Sequence, residues 1–113
     1  MLIVEDDTVL RKHLARLFAA EGYVVSTAGS CAEALALFAT MSVDNLLLDA
    51  TLPDGDGLSL LATLSERQSP RRTILMTAYC TAEAERRAES LRVSHILRKP
   101  LDLAELIGAF PEE

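Results

Sequence analysis

The sequence lacks the basic excess that a nucleic-acid surface needs. Its 113 residues carry a formal net charge of −6 at pH 7, whereas phosphate binding requires clustered positive charge. It has no apolar run long enough to span a bilayer and no secretory leader before Met1, so we expect no membrane contact. It has only two cysteines, Cys31 and Cys80. We therefore expect no disulfide framework, and a reduced, cytoplasmic protein.

Several common binding signatures are also missing. The two histidines, His13 and His95, have no second His or Cys at the spacing of a metal site. No G-x-G-x-x-G or Walker pattern is present, so Gly55 and Gly57 are interpreted as turn residues. The chain length allows one core, and we assign residues 1–113 to a single domain.

Five short apolar segments alternate with five helical patterns, which predicts an α/β domain. Strands joined by helical crossovers must be parallel, and we find no signal for a hairpin. The sequence therefore predicts a doubly wound five-stranded parallel sheet with five helices. The predicted strands are residues 1–4, 23–26, 46–48, 73–76 and 95–97.

The helix starts are marked by capping residues. They are Asp7 or Thr8, Ser30 with Glu33, Thr81, and Asp102 with Glu105. The fourth helix has a thin apolar face, and we expect it to be the most loosely held.

Reactive or charged residues follow four of the predicted strands, and they are Glu5-Asp6, Asp49, Thr77 and Lys99. In a parallel sheet these strand ends share one edge. If the strands follow the flavodoxin-like order 2-1-3-4-5, the first and third are neighbours and three carboxylates converge. Clustered carboxylates repel and favour a cation, and oxygen ligands without His or Cys indicate Mg²⁺.

This constellation has a coherent chemistry. A carboxylate is a poor nucleophile toward a phosphoryl donor because both are anionic. Mg²⁺ and an ammonium group such as Lys99 reduce that repulsion, and the Thr77 hydroxyl can hydrogen-bond a phosphoryl oxygen. An aspartyl phosphate is a known kind of covalent intermediate. Each residue alone would be interpreted as a cap, a strand end or a surface charge, but their joint placement at one edge favours the site.

Four segments in order, LIVEDD, LLLDATLPDGDGL, LMTAY and LRKP, make the chain resemble the receiver domain of two-component response regulators. The resemblance implies that Asp49 is the phosphoacceptor and that Mg²⁺ is bound by Glu5, Asp6, Asp49 and the backbone carbonyl of Thr51. It implies that Thr77 and Lys99 hold the phosphoryl oxygens and that Lys99-Pro100 is a cis peptide.

The resemblance further implies partners. The first is a sensor histidine kinase, which would dock near His13, Arg16 and the loop after Pro100. The second is an output domain or downstream protein that acts in transcription regulation. We expect the chain to be the N-terminal part of a longer response regulator, and the resemblance allows a homodimer on activation. We expect that the domain is not an enzyme and that it catalyses only its own phosphorylation and dephosphorylation.

The sequence departs from the family pattern in two places. The family usually has an aromatic residue three positions before the lysine, where this chain has Ile96, and Gly-Ala where it has Arg92-Val93. Both changes concern how phosphorylation is transmitted to the output surface. The resemblance implies that Thr77 and position 96, here Ile96, are the switch positions. With isoleucine there, His95 or Tyr79 could carry the signal instead.

Three alternative functions stay open from the sequence. The first is a stand-alone receiver that shuttles phosphate. The second is a phosphatase of the haloacid-dehalogenase kind, although Thr51 stands where that family needs a second acid. The third is a flavodoxin-type flavin module, whose phosphate the acids would repel.

Overall fold

The computed structural model describes residues 1–110, so the last three residues of the predicted 1–113 domain lie outside the described part. Strands and helices alternate along the chain, apart from one extra pair of two-residue strands. The elements are β1 (Leu2–Val4), α1 (Thr8–Ala20), β2 (Ser26–Ala28), α2 (Cys31–Phe38), β3 (Asn45–Asp49), β4 (Thr51–Leu52), β5 (Gly55–Asp56), α3 (Gly57–Ser65), β6 (Arg72–Thr77), α4 (Ala82–Ser90), β7 (His95–Arg98) and α5 (Leu103–Gly108).

The main sheet has five parallel strands in the order β2-β1-β3-β6-β7. Counted without the short β4-β5 pair, this is the flavodoxin-like order 2-1-3-4-5, and the predicted fold class is confirmed. In this order β1 and β3 are neighbours, with Val4 opposite Leu48. None of the helices in residues 1–110 is long and apolar enough to cross a membrane.

The central strands are buried on both faces because they lack polar alternation. Successive side chains point to opposite faces of the sheet, which divides the core into two clusters. One joins the sheet to α2, α3 and α4, and it includes Leu2, Val4, Leu46, Leu48, Phe38, Leu61, Leu64 and Leu75. The other joins it to α1 and α5, and it includes Ile3, Leu14, Phe18, Leu47, Ile74, Met76, Leu106 and Phe110.

The predicted helix caps are confirmed. Side-chain oxygens of the cap residues accept hydrogen bonds from backbone N–H groups in the first turns, and the caps are Asp7, Ser30, Thr81 and Asp102. Glu33 bonds the N–H of Gly29, at 2.8 Å, rather than that of the cap itself. Helix α4 has one buried side chain, Ala88, in agreement with its thin apolar face.

Two predictions about local structure were wrong. The second strand was expected over residues 23–26 but covers Ser26–Ala28, because β1 begins at Leu2, which pairs with Ser26. Tyr23 and Val25 pack against the α1–α5 cluster, and the segment bonds to Met1 through the Val24 carbonyl and the Ser26 N–H. No hairpin was expected, yet β4 and β5 form a short antiparallel pair. The turn between them is Pro53-Asp54, and a proline followed by aspartate suits a tight turn.

Candidate functional site

The carboxyl ends of β1 and β3 bring three acids together. Carboxylate oxygens of Glu5, Asp6 and Asp49 lie within 4.8 Å of one another, and we call these three residues the acidic cluster. Glu5 and Asp49 are buried, whereas Asp6 is exposed. The cluster exists because β1 and β3 pair in register and end at the same edge. Its donors are carboxylate oxygens alone, which suits a hard cation such as Mg²⁺.

Glu5 is completely inaccessible to solvent, and every one of its polar groups has a partner. Its backbone N–H donates to the carbonyl of Ala28 at 3.0 Å, and its own carbonyl accepts from Arg11 Nη1 at 2.8 Å. One carboxylate oxygen accepts from Lys99 Nζ at 2.7 Å and the other from the N–H of Asp7 at 3.0 Å. These bonds offset the cost of burying a carboxylate.

Lys99 links two members of the acidic cluster. Its Nζ donates to Asp49 Oδ2 at 3.0 Å as well as to Glu5. Burial lowers the pKa of Lys99, but the hydrogen bonds and negative charges of Glu5 and Asp49 outweigh it and raise that pKa above its ordinary value. The Lys99-Pro100 peptide is cis, as the resemblance implied. The other oxygen of Asp49 accepts from the N–H of Thr51 at 3.1 Å, which places Thr51 beside the cluster.

Thr77 lies at the end of β6, the strand next to β3, and it is buried. Its hydroxyl donates to the carbonyl of Tyr79 at 2.7 Å and accepts from the Tyr79 N–H at 3.2 Å. The Thr77 hydroxyl is therefore bound to its own loop in this structure. Ile96 lies opposite Leu75 on β7 and packs, half-buried, against the core cluster of α2, α3 and α4.

The loop that follows Asp49 is attached to two neighbouring helices. Asp54 accepts from the N–H groups of Cys31 and Ala32, at 2.7 and 3.0 Å, at the start of α2. These bonds lower the pKa of Asp54. Burial and then the nearby Asp54 raise the pKa of the Cys31 thiol to about 11. The Asp54 carboxylate thus attaches the loop to the N-terminal end of α2.

The second attachment joins the loop to α4. Asp56, the cap of α3, accepts from Arg87 Nη1 at 2.9 Å, and Arg87 also donates to the hydroxyl of Ser59 at 3.0 Å. Burial raises the pKa of Asp56, but the hydrogen bonds of Ser59 and Arg87 outweigh it, so the pKa is lowered. Gly57 is the first residue of α3 and lies against the end of β3. A Cβ on residue 57 would overlap the carbonyl oxygen of Asp49. The backbone can approach this closely only because residue 57 has no side chain.

Sequence reasoning predicted the acidic cluster, Thr77 and Lys99 at one edge, but it missed the residues that attach the neighbouring loops. Arg11, Asp54 and Arg87 act through contacts across the fold, and no local pattern marks those contacts. The Pro53-Asp54 turn is the one feature with a local signal.

A parallel α/β sheet with an acidic cluster, a lysine and a threonine at one edge is the arrangement that the resemblance to receiver domains, a class of signalling domain, implied. The chain belongs to the family of response regulator receiver domains, whose model matches residues 1–110. Members of this family are switches rather than conventional enzymes. Membership therefore favours a phosphorylation-dependent switch over the phosphatase and flavin-module alternatives.

Individual relatives agree with this membership. The acid tolerance regulatory protein ActR of Rhizobium meliloti (strain 1021) is 33% identical over 109 residues, which cover 96% of this chain and 56% of that protein. The chain thus spans little more than half of that relative's length.

Solved structures give the same result. A CheY-like receiver domain protein from Methanospirillum hungatei JF-1 superimposes with a TM-score of 0.89 at 27% identity, covering 95% of this chain and 86% of that one. A response regulator from Burkholderia pseudomallei, which carries a phosphorylated aspartic acid, a calcium ion and citrate, gives 0.88 at 28% identity, covering 97% and 65%.

Proposed function

We propose that this domain accepts a phosphoryl group on Asp49, from a sensor histidine kinase, and that phosphorylation changes its affinity for an output domain or partner. The observation that carries the proposal is the Lys99 ammonium group, which bonds both Glu5 and Asp49 beside the exposed Asp6. A strand end needs no such arrangement for stability alone, whereas transfer of an anionic group needs both a carboxylate and positive charge.

The acidic cluster fits Mg²⁺. We propose that Glu5, Asp6, Asp49 and the carbonyl of Thr51 hold the ion, with Glu5 acting largely through water. The shared oxygen donors and their mutual proximity support this assignment. A bound Mg²⁺ supplies positive charge that offsets the repulsion between a carboxylate and phosphoryl oxygens.

The chain's own groups then perform the transfer. A carboxylate oxygen of Asp49 forms a bond to phosphorus while the bond from phosphorus to the donor's leaving atom breaks. Lys99 lies within hydrogen-bond distance of Asp49, which supports the proposal that it neutralises the transferred group. Thr77 must give up its bonds to Tyr79 to reach a phosphoryl oxygen, which frees the loop after β6. The same site carries the proposed autodephosphorylation.

The partners follow from the family and remain proposals. A sensor histidine kinase would dock near His13 and Arg16, both exposed on α1, and at the loop after Pro100. The output domain would act in transcription regulation in the cytoplasm, in a longer protein of which this is the N-terminal part. Two copies would pair on activation. The stand-alone phosphate-shuttling receiver is the other arrangement that this site could serve.

The direct test is replacement of the proposed phosphoacceptor. We expect Asp49→Asn to abolish labelling by acetyl phosphate, because an amide cannot form the mixed anhydride, while Asp44→Asn, at an exposed acid, leaves labelling intact. Intact-protein mass spectrometry with Mg²⁺ present measures the label. Undiminished labelling of Asp49→Asn would mean that another side chain is the nucleophile.

The switch positions have a separate test. Because Ile96 is an aliphatic residue packed in the core, we expect beryllofluoride, a phosphoryl mimic, to shift NMR resonances near Thr77 more than those near Ile96. Equal shifts at both positions would show that the two are coupled despite the missing aromatic ring.

A further inference from the structure

Arg11 reaches from α1 back to the loop that carries two of the three acids. Its Nη1 donates to the carbonyl of Glu5 at 2.8 Å and lies 3.4 Å from the carbonyl of Asp6. One guanidinium therefore contacts two consecutive peptide groups. The orientation of those peptide groups determines the direction in which the side chains of residues 5 and 6 project. Neither the resemblance nor the acidic pattern gives this arginine a role.

Gly29, in the loop after β2, provides the space that the guanidinium occupies. A Cβ built on Gly29 would lie 2.8 Å from Arg11 Nη1 and 3.4 Å from its Cζ. The nearest atoms are the flexible end of a side chain rather than backbone. Alanine at position 29 would therefore displace the guanidinium from the two carbonyls and leave the surrounding backbone in place.

The position of Arg11 matters most for Asp6. Glu5 is buried and held by four partners, and Arg11 is only one of them. Asp6 is exposed, and contact with solvent does little to fix the position of its carboxylate. The two contacts from Arg11 fix the peptide groups of residues 5 and 6, which favours an arrangement of acids that is ready for a cation.

We propose that Arg11 is a positioning residue for the Mg²⁺ site and that Gly29 is required to admit it. This inference rests on the proposed function, since it concerns the ion that the acidic cluster would hold. Groups that orient metal ligands without touching the metal commonly change its affinity by about 10–100-fold. Arg11 acts on the backbone of two ligands, so we expect an effect at the lower end, about 10-fold.

The alternative is that Arg11 only attaches α1 to the end of β1. In that case its removal would lower stability without a selective effect on Mg²⁺ affinity. Two measurements separate these roles: the Kd for Mg²⁺ by isothermal titration calorimetry, and the midpoint of urea unfolding in EDTA.

The experiment is a double-mutant cycle on the full chain with Arg11→Met and Gly29→Ala. We expect each single variant to bind Mg²⁺ about 10-fold more weakly, and Gly29→Ala to add nothing once Arg11 is replaced. Arg11→Lys should recover part of the affinity because the ammonium group restores a hydrogen-bond donor toward the carbonyls of Glu5 and Asp6. Lys12→Met, which removes an exposed positive charge from the same helix, is the matched control and should bind as the wild type does.

The outcomes are distinguishable. If the wild type binds no Mg²⁺, or if Asp6→Ala binds it equally well, the proposed function fails. If the wild type binds and Asp6→Ala does not, but Gly29→Ala binds with unchanged Kd, the positioning role of Arg11 is overturned. Gly29→Ala retains the arginine, so it decides the question even if Arg11→Met does not fold. Independent, additive losses in the double variant would equally overturn the role assigned to Gly29.

Discussion

Replacing Lys99 with methionine should destabilise the domain, and the loss should be reversed by Mg²⁺. The variant keeps an unbranched side chain of similar length but removes the charge that bonds Glu5 at 2.7 Å and Asp49 at 3.0 Å. The two carboxylates would then face each other with no cation between them, and the Glu5 side chain is fully buried.

The magnitude follows from burial. Removing one partner of a buried ion pair costs about 3–5 kcal/mol because the remaining charge is left uncompensated. The Lys99 side chain keeps 25% of its exposure, so solvent screens part of the interaction. We therefore expect the free energy of unfolding in EDTA to fall by about 2 kcal/mol. Saturating Mg²⁺ should restore much of this loss, since an ion that binds only the folded state stabilises it.

Urea unfolding with and without Mg²⁺ measures both effects. The control is Lys12→Met, which removes the other lysine of the chain at an exposed position on α1 and should change stability by less than about 0.5 kcal/mol. An unfolding free energy for Lys99→Met that matches the wild type in EDTA would refute the reasoning. A loss that Mg²⁺ does not reverse would show that Lys99 acts through packing instead.

The stabilisation by Lys99 should also depend on pH. The pKa of Lys99 is raised in the folded protein above its ordinary value of 10.5. Its contribution to stability is therefore complete below that pH and is lost as the pH rises through the folded-state pKa. In EDTA, we expect the free energy of unfolding to fall more steeply above pH 10.5 for the wild type than for Lys99→Met. The two proteins should therefore become similar in stability in that pH range.

Two further predictions concern the loop after β3 and its neighbours. Gly57→Ala should lower the free energy of unfolding by about 1–3 kcal/mol, since the new Cβ meets the rigid backbone at Asp49. Gly108→Ala, where nothing lies within 4 Å, is its control in urea unfolding, and equal effects would contradict the clash. In a Cys80→Ser background, alkylation of Cys31 by iodoacetamide should accelerate up to about pH 11, because the thiolate is the nucleophile. A plateau near pH 9.0, the ordinary value for a thiol, would contradict the raised pKa.

Most of the fold was predictable because its signals are local. Uninterrupted apolar runs marked the buried strands, and a capping side chain marked the start of four of the five predicted helices. The acidic cluster was predictable for a related reason, since parallel strands end at one edge and the order of strands decides which ends meet. The position of Asp49 and Glu5 at the ends of two apolar runs was therefore enough to place them together.

The rest depended on contacts between distant parts of the chain. Residues 23–26 are apolar enough for a strand, but β1 begins at Leu2, opposite Ser26, so the paired residues are the more polar Ser26–Ala28. Tyr23 and Val25 pack against the α1–α5 cluster instead of lying in the strand. Arg11 is an ordinary exposed-face residue by helical spacing, and its bonds to the loop carbonyls depend on a glycine in a different loop. No periodicity encodes such a pair.

The attachment of α4 has a consequence for how the domain responds to salt. Ala88 is the one buried side chain of that helix, and the exposed bond from Arg87 to Asp56 is one of the contacts that join the helix to α3. Exposed charge pairs weaken as ionic strength increases, whereas buried ones are screened much less. Added salt should therefore speed amide hydrogen exchange in α4 while the pairing of Glu5 with its lysine persists. Ionic strength would thus loosen one helix of the domain without disturbing its acidic cluster.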